Sequence, residues 1–387
     1  MDEVELRIDQ LVTGGEGLGR FEGIPIFVPL SAPGDRLKVR LTERKPGYGR
    51  AEIVEVLQPG SGRRDPRCRH FARCGGCDLQ HLDEATQLRW KAEAVRETLR
   101  RIGGVDIPER FEVVAGSPWG YRMRAQLRVG DTDEGRRGGY HARGSHDLVP
   151  VEECPVLVPE LEKQLRSLPR KLRGEATTRI DLTAGDGGAV TCSPPVARLP
   201  QGEVCAVVGS FSYSYDSRCF FQGHRQLTPE LVRRAVGPWG DEDGDAFDLY
   251  AGVGLFALPL ARRYGRVTAV EGDRVAVRYL RRNLRENQVG AEVASQSVET
   301  WAQNLPKGPS RVIVDPPRMG LSRAVRQALV RSRPRRLTYV SCNPATLARD
   351  LQILLRHFEL DSLALLDMFP QTGHMESVAQ LVPRAED

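Results

Sequence analysis

The chain has 387 residues, which is more than one ordinary domain requires, so two or three domains are expected. Its acidic N-terminus precedes no apolar segment, and no apolar run reaches the roughly 18 residues that cross a bilayer, so we predict neither a secretory signal nor a membrane partner. The formal net charge of +5 permits binding to nucleic acid without requiring it. Eight cysteines without a secretory signal favour metal ligands and a catalytic thiol over disulfides, so we expect a cytoplasmic protein.

The first region, residues 1–58, has short alternating apolar runs separated by glycine and proline, which predicts a small OB-like β-barrel. Its glycine-rich segment at residues 14–19 opens no helix and lacks the G-x-G-x-x-G spacing, so it predicts a hairpin turn and not a nucleotide-binding loop. Basic and aromatic side chains interleave on a predicted loop at Arg44, Lys45, Tyr48 and Arg50. That loop fits either contact with single-stranded nucleic acid or a solvated charged turn.

The second region, residues 65–215, follows a linker-like sequence at residues 59–62 and is predicted to be an α+β domain. A helix is expected over residues 83–101 with Asp83 as its N-cap, and shorter alternating runs from residue 121 onward indicate strands. Four cysteines of this region can supply thiolates to one metal site: Cys68, Cys74, Cys77 and Cys154. Four thiolates suit either an iron–sulfur cluster or a tetrahedral zinc ion, and geometry alone does not decide between them.

The third region, residues 216–387, alternates apolar strand-like runs with helical stretches. The runs are residues 246–250, 267–271, 311–315 and 337–340. This alternation predicts an α/β domain with a parallel sheet and helices on both of its faces. In such sheets, ligands bind beyond the carboxyl ends of the strands.

A cofactor site is predicted where the first of these strands ends. A glycine-containing turn separates strand from helix in the sequence Asp248-Leu-Tyr-Ala-Gly-Val-Gly-Leu255. The next strand ends in Glu271, whose carboxylate suits both ribose hydroxyls, so the two features together indicate an adenosine cofactor. Asp248 favours the sulfonium of S-adenosylmethionine over the pyrophosphate of NAD; its alternative role is to cap the following helix.

Three further motifs fall at or just beyond strand ends of the same predicted sheet and should meet in one cleft: Asp315-Pro-Pro-Arg318, Ser341-Cys-Asn-Pro344 and Phe369-Pro-Gln-Thr-Gly-His-Met-Glu376. They are similar to the signature segments of the RNA 5-methyluridine methyltransferase family. The resemblance covers the whole chain and implies a TRAM-like barrel, a central iron–sulfur domain and a Rossmann-like methyltransferase domain. It implies an enzyme that uses S-adenosylmethionine to methylate carbon 5 of a uridine in RNA.

The resemblance also implies roles for individual residues. Carbon 5 of uracil is a poor nucleophile, so a thiolate must first add to carbon 6, and the family pattern makes Cys342 that nucleophile. Glu376 matches the family's acceptor of the carbon 5 proton. Arg318 is expected to orient its neighbours, and two departures from the pattern, His224 for Asn and Gln371 for His, concern the positioning of uracil. Cofactor-binding positions are implied at Gln222, Tyr250, Glu271 and Asp315.

For the four-cysteine site, the resemblance favours a [4Fe–4S] cluster over zinc. Its role would be structural or RNA-orienting, because methyl transfer from a sulfonium consumes no electron. The remaining cysteines of the central part of the chain are interpreted as small buried residues: Cys192, Cys205 and Cys219.

The implied substrate is a uridine in an RNA loop or flipped out of its stack, in 23S rRNA ahead of tRNA, and a monomeric enzyme is expected. Two other functions compete. A radical methylthiotransferase would need a C-x3-C-x2-C loop, which the cysteine spacing does not provide. A non-catalytic iron–sulfur RNA-binding protein would leave Cys342, Asp315 and Glu376 without a role.

Overall fold

A computed structural model describes residues 3–12, 14–107, 111–237 and 244–385. Its strands form a closed barrel, a five-stranded sheet, a two-stranded hairpin and an eight-stranded sheet. Within these ranges, no helix combines the length and apolar character needed to span a membrane.

The N-terminal barrel confirms the predicted first domain type. Its strands are β1 (Glu3–Leu11), β2 (Gly17–Phe21), β3 (Ile24–Val28), β4 (Arg36–Lys45) and β5 (Tyr48–Gln58). They close in the order β1-β2-β3-β5-β4, and alternate side chains such as Ile8, Val28 and Leu37 fill the interior. Strands β1 and β2 pair antiparallel around the glycine-rich segment, so the predicted hairpin turn is confirmed.

The charged group between β4 and β5 lies on strands and not on the predicted loop. Lys45 pairs directly with Tyr48, which leaves a two-residue turn and no room for a loop. Arg44, Lys45 and Arg50 each form an ion pair with a glutamate of the barrel. Their charges are therefore compensated locally, as on a solvated charged surface.

The linker-like segment is tied to the barrel. Arg63 donates to the buried carboxylate of Asp35 at 2.6 Å and to the carbonyl of Leu30 at 2.9 Å. The backbone N–H of Gly60 donates to the same carboxylate at 2.8 Å. The barrel and the region that follows are therefore connected through one buried acid.

The central region begins with α1 (Glu84–Gly103) and the short strand β6 (Glu112–Val114). Asp83 caps α1 by accepting the backbone N–H of Thr86 at 2.7 Å, as predicted. An antiparallel sheet follows, in the order β11-β10-β7-β8-β9, with α2 (Pro159–Lys171) packed on one face. Its strands are β7 (Arg124–Thr132), β8 (Gly135–His141), β9 (Leu148–Pro150), β10 (Arg179–Ala184) and β11 (Val190–Ser193).

The C-terminal region contains the eight-stranded sheet and is preceded by the hairpin of β12 (Val204–Val208) and β13 (Phe211–Tyr215). Its helices are α3 (Thr228–Val236), α4 (Ala257–Arg263), α5 (Arg274–Glu286), α6 (Val298–Trp301), α7 (Arg323–Ser332) and α8 (Pro344–Leu354). Its strands are β14 (Asp245–Leu249), β15 (Arg266–Glu271), β16 (Glu292–Ser295), β17 (Arg311–Val314), β18 (Leu337–Ser341), β19 (Phe358–Leu366) and β20 (Glu376–Pro383).

The sheet order is β16-β15-β14-β17-β18-β20-β19-β6. The strands from β16 to β18 are parallel, as predicted, whereas β20 runs antiparallel to both β18 and β19. Successive buried residues of β17 face opposite cores: Val312 packs with α7 and α8, and Ile313 packs with α4 and α5. Helices therefore cover both faces, which confirms the predicted α/β arrangement.

One segment of the expected central domain packs with this sheet. Residues 84–114 lie inside the predicted range of 65–215, but α1 packs against α8 and β6 pairs with β19. Trp90 and Leu99 of α1 belong to the same apolar core as β17 and β18. Contacts between distant parts of the chain decide this packing, and the composition of the segment does not reveal it.

Candidate active site

Most of the predicted site residues meet at one edge of the eight-stranded sheet. Tyr250, Asp315 and Cys342 directly follow the carboxyl ends of β14, β17 and β18, and Glu271 ends β15. Glu376 begins β20, which is antiparallel to β18, so its first residue lies at the same edge. The predicted convergence of the motifs is therefore present in the fold.

The turn after β14 brings the backbone close to this edge. Tyr250 has a φ of 70°, and Gly254 has a φ of 101°. A Cβ on Gly254 would lie 2.7 Å from two leucine side chains, so only glycine fits there. The backbone N–H of Gly252 donates to Glu271 Oε2 at 2.7 Å, and that of Asp273 donates to Oε1 at 2.7 Å. Glu271 is thereby held next to the turn, with lone pairs left for other donors.

Two other polar groups adjoin this turn. The Tyr250 hydroxyl donates to Glu299 of α6 at 2.8 Å, an interaction that nothing in the sequence pattern indicates. Asp248, expected at the turn, lies inside β14 and is fully buried. Burial raises its pKa well above the usual range, with Asp315 and Glu271 acting in the same direction. Neither carboxyl oxygen of Asp248 has a hydrogen-bond partner among the described residues, and α4 begins without a side-chain cap, so the capping alternative is not supported.

Cys342 is half-buried between β18 and α8. The next residue, Asn343, caps α8 by accepting a backbone N–H at 3.0 Å and donates its amide to the carbonyl of Arg318 at 3.2 Å. Burial, followed by the negative charges of Glu376 and Asp315, raises the pKa of the thiol to about 11. The thiol is therefore protonated at neutral pH, and a neighbouring group must take its proton before the sulfur attacks.

The two carboxyl groups beside the thiol also have raised pKa values. Burial raises the pKa of Asp315 to about 7, while its hydrogen bond with Gln222 acts in the opposite direction. Glu376 is only 2% exposed, and burial together with Asp315 raises its pKa well above the usual range. Carboxyl groups that lie close together and away from water cannot all be ionised at once, so at least one of them holds a proton near neutral pH.

These residues fit S-adenosylmethionine. Gln222 is buried, and its Oε1 has no hydrogen-bond partner among the described residues, so one buried acceptor remains for a ligand. The adjacent carboxyl of Asp315 suits a positively charged sulfonium or amino group, and Glu271 suits ribose hydroxyls. When bound, S-adenosylmethionine would supply an electrophilic methyl group at this edge.

His224 and Gln371, the two residues that depart from the family pattern, are both buried and make contacts within the protein. His224 is fully buried, stacks on Tyr121 with ring centroids 4.7 Å apart, and accepts the backbone N–H of Leu227 at 3.3 Å. Burial lowers its pKa to about 4, so the ring is neutral. Gln371 is fully buried, and its side chain bonds with Gln87 of α1 at 3.0 Å. Both side chains therefore serve packing and hydrogen bonding within the protein.

Sequence reasoning missed one pair at the rim of the site. Arg318 contacts His374 Nδ1 at 2.9 Å, which agrees with the expectation that Arg318 orients its neighbours. Both residues lie in motifs quoted above, but their pairing depends on how two distant loops approach each other.

The four predicted metal ligands, Cys68, Cys74, Cys77 and Cys154, line one small cavity that also contains Arg122. Burial raises the pKa of Cys77 to about 12 and that of Cys154 to about 11. The described part of the chain contains no group of three or more His, Cys, Asp or Glu residues spaced to hold a metal ion.

The eight cysteines form no disulfide with one another in the structure. Three cysteines are neither predicted metal ligands nor the predicted nucleophile, and they differ in exposure. Cys192 and Cys219 are buried as expected, but Cys205 is exposed, because its side chain lies on the outer face of the β12–β13 hairpin.

Comparison of the fold with solved structures identifies the class of enzyme. A solved structure of similar fold is the Pyrococcus abyssi tRNA (uracil-54, C5)-methyltransferase in complex with S-adenosyl-L-homocysteine, with a TM-score of 0.77 and 28% identity over 98% of this chain and 99% of that chain. The fold and the site thus define an S-adenosylmethionine-dependent methyltransferase.

The family is shown by the sequence matches. Residues 203–384 match the family described as tRNA (Uracil-5-)-methyltransferase, and residues 2–54 match the TRAM domain. The 23S rRNA (uracil(1939)-C(5))-methyltransferase RlmD of Enterobacter sp. (strain 638) is 33% identical over 94% of this chain and 93% of its own length. The enzyme of the same name from Pseudomonas entomophila (strain L48) is 34% identical over 97% and 92%. The chain belongs to the RNA uracil-C5 methyltransferase family and is an S-adenosylmethionine-dependent RNA (uracil-C5-)-methyltransferase.

Proposed function

We propose that this enzyme methylates carbon 5 of one uridine in 23S rRNA through a covalent bond between Cys342 and carbon 6. The observation that carries the proposal is the meeting of one thiol, Cys342, and two carboxyl groups, Asp315 and Glu376, at the cofactor edge of the sheet. Enzymes that methylate exocyclic amines have no need for such a thiol.

The proposed reaction begins at Cys342. Its proton passes to an ionised neighbouring carboxylate, its sulfur forms a bond to carbon 6, and the electron pair of the 5,6 double bond makes carbon 5 nucleophilic. Carbon 5 then takes the methyl group as the bond between that methyl and the sulfonium sulfur breaks, which leaves S-adenosylhomocysteine. Glu376 removes the proton that remains on carbon 5, the double bond re-forms, and the bond between sulfur and carbon 6 breaks. A carboxylate with a raised pKa is a stronger base once ionised, which suits Glu376 to this step.

We propose that four residues hold S-adenosylmethionine. Glu271 binds the ribose hydroxyls, and Asp315 and Gln222 bind the methionine portion. Tyr250 lines the adenosine side of the turn, where its bond to Glu299 fixes the ring.

The proposed RNA is 23S rRNA, with tRNA as the alternative. RNA as the substrate is supported by the TRAM match, and the two rRNA enzymes at 33% and 34% identity favour rRNA over the tRNA enzyme at 28%. The reactive face of uracil is hidden in a stacked helix, so we infer that the target uridine lies in a loop or flips outward to reach Cys342. We infer that one chain supplies every named site residue, and we propose a monomer as the working state of the enzyme.

The test of this assignment uses purified enzyme, methyl-labelled S-adenosylmethionine, and separate 23S rRNA and tRNA from a strain that lacks the modification. We expect label in 23S rRNA, recovered after digestion as 5-methyluridine. Label only in tRNA would overturn the rRNA assignment, and label on an exocyclic amine would overturn the chemistry.

We further propose that Cys68, Cys74, Cys77 and Cys154 hold a [4Fe–4S] cluster. Their shared cavity supports it, and Arg122, which lines the cavity and is half-buried, would offset the negative charge of thiolate ligands. Zinc is the alternative, because four thiolates also complete a tetrahedral zinc site.

Iron and acid-labile sulfide content, with visible absorbance, test this second proposal on anaerobically purified protein. Cys154→Ser should lose iron and visible absorbance, whereas the exposed Cys205→Ser should retain both. Stoichiometric zinc without iron in the wild-type protein would overturn it.

A further inference from the structure

The segment between β19 and β20, residues 367–375, leads directly into Glu376, and we call it the base loop. Its middle is hydrogen-bonded to the segment that follows Cys77 in the chain. The backbone N–H groups of Asp78 and Leu79 both donate to the carbonyl of Gln371, at 2.9 and 3.0 Å. The carboxylate of Asp78 accepts the backbone N–H of Gly373 at 3.1 Å.

Helix α1 holds the same loop from a second side. Gln87 donates to the Oε1 atom of Gln371 at 3.0 Å and accepts the backbone N–H of Gln371 at 3.1 Å. Gln371 has a φ of 68°, a left-handed conformation that is costly for a residue with a Cβ. The loop persists in this shape because its surroundings hold it there.

Two further contacts complete the attachment. The fully buried Lys91 donates to Asp367 at 2.6 Å and to the carbonyl of Phe369 at 3.0 Å. The hydroxyl of Tyr121 donates to the carbonyl of Pro370 at 2.9 Å. These partners of the base loop all come from residues 78–121, outside the family match at residues 203–384.

The segment carrying Cys77 is itself braced. Arg143 donates to the Oδ1 atom of Asp78 at 3.0 Å and to the carbonyl of Cys77 at 2.6 Å. Asp78 therefore joins the wall of the four-cysteine cavity to the base loop through a single carboxylate, with one oxygen on each side.

We propose that Asp78 and Gln87 are positioning residues that hold the base loop so that Glu376 reaches the proton on carbon 5. This inference rests on the proposed function, in which Glu376 is the base. Cys342 is carried by β18 and α8, and its neighbour Asn343 reaches the base loop only indirectly, through Arg318 and His374, so formation of the bond to carbon 6 should depend less on the base loop than proton removal does. Loosening the loop should therefore slow proton removal more than adduct formation.

The experiment compares Asp78→Ala and Gln87→Ala with the wild type. A misplacement of about 1 Å can cost about a hundredfold in rate, so we expect turnover to fall by about 10- to 100-fold. A denaturation-resistant protein–RNA adduct should accumulate, which loss of general stability would not cause. Backbone amides of residues 371–374 should also exchange with deuterium faster in the variants, without RNA present.

Three controls separate a positioning role of Asp78 and Gln87 from nonspecific effects of substitution and from loss of the four-cysteine site. Asp78→Asn keeps an oxygen for Gly373 and should restore much of the turnover lost in Asp78→Ala. Asp133→Ala removes an exposed carboxylate from the turn between β7 and β8, away in sequence from Asp78 and Arg143, and should behave as wild type. Iron content is measured in every variant to show whether the four-cysteine site is intact. Gln87 lies on α1 and does not line the cysteine cavity, so Gln87→Ala tests the base loop separately from that site.

The outcomes are distinct. If Glu376→Gln traps an adduct but Asp78→Ala and Gln87→Ala do not, the inference is wrong and the proposed function stands. The inference is also wrong if an adduct appears only in a variant that has lost iron, or if deuterium exchange in the base loop is unchanged. If Glu376→Gln itself traps no adduct, the proposed base is wrong, and the positioning role fails with it.

Discussion

Ser341 lies directly opposite Ser377 in the antiparallel pairing of β18 with β20. If the same antiparallel register is extended by one residue beyond this pair, Cys342 lies opposite Glu376. The proposed nucleophile and the proposed base, which are distant in the sequence, are thus neighbours because one strand of an otherwise parallel sheet is reversed. A parallel β20 would place Glu376 at the far edge of the sheet.

Replacing the nucleophile should stop the reaction without removing the donor site. We expect Cys342→Ala to lower turnover by at least about a thousandfold, because the uracil ring is no longer activated. Affinity for S-adenosylmethionine, measured by calorimetry, should stay within about threefold, since the alanine changes neither the turn nor Glu271. The exposed Cys205→Ala is the matched control. A serine at position 342 that left full activity would contradict the covalent mechanism.

Replacing the base should stop the reaction halfway. Glu376→Gln keeps the shape of the side chain but cannot take a proton, so turnover should fall by about 10²- to 10⁴-fold. Methylated RNA should remain bonded to the protein and appear as a slowly migrating band on a denaturing gel. The double variant with Cys342→Ala should show no band. Normal turnover of Glu376→Gln would show that another group removes the proton from carbon 5.

Affinity for the donor should depend on pH through Asp315, whose pKa is raised to about 7. The carboxyl is protonated below that pH and ionised above it, and only the ionised form attracts a sulfonium cation. Binding of S-adenosylmethionine should therefore tighten by up to about tenfold from about pH 6 to about pH 8. S-adenosylhomocysteine lacks the positive sulfur and should change less. The same steep dependence in Asp315→Asn would show that another group is responsible.

The buried ion pair of Lys91 and Asp367 should contribute to stability. Lys91 is fully buried, and Lys91→Met would leave the Asp367 carboxyl without its partner. Removing one member of such a pair costs about 3 to 5 kcal/mol, which thermal or denaturant unfolding would detect. Lys38→Met, which removes an exposed lysine paired with Glu3, is the control and should leave the unfolding midpoint nearly unchanged. Equal effects of the two substitutions would contradict this account.

Local patterns predicted much of the fold correctly. Strands buried on both faces appear as continuous apolar runs, so β14, β15, β17 and β18 were recognisable. Asp83 marked the start of α1, because capping is a contact between near neighbours in the chain. Two predictions were wrong: the loop near Tyr48 and the burial of Cys205. The first depends on how far two paired strands extend, and the second depends on which face of a strand points to solvent.

The sequence by itself determined the chemistry available to this protein: a thiol after one strand, a carboxylate after another, a glycine turn with an acid on the next strand, and four cysteines in its central part. Each of these is a property of a short segment, and short segments carry their own conformational preferences. Only the tertiary structure decided that β20 is reversed, that α1 packs on the methyltransferase sheet, and that Asp78 holds the base loop. Those contacts join residues far apart in the chain, and packing of the completed core selects them.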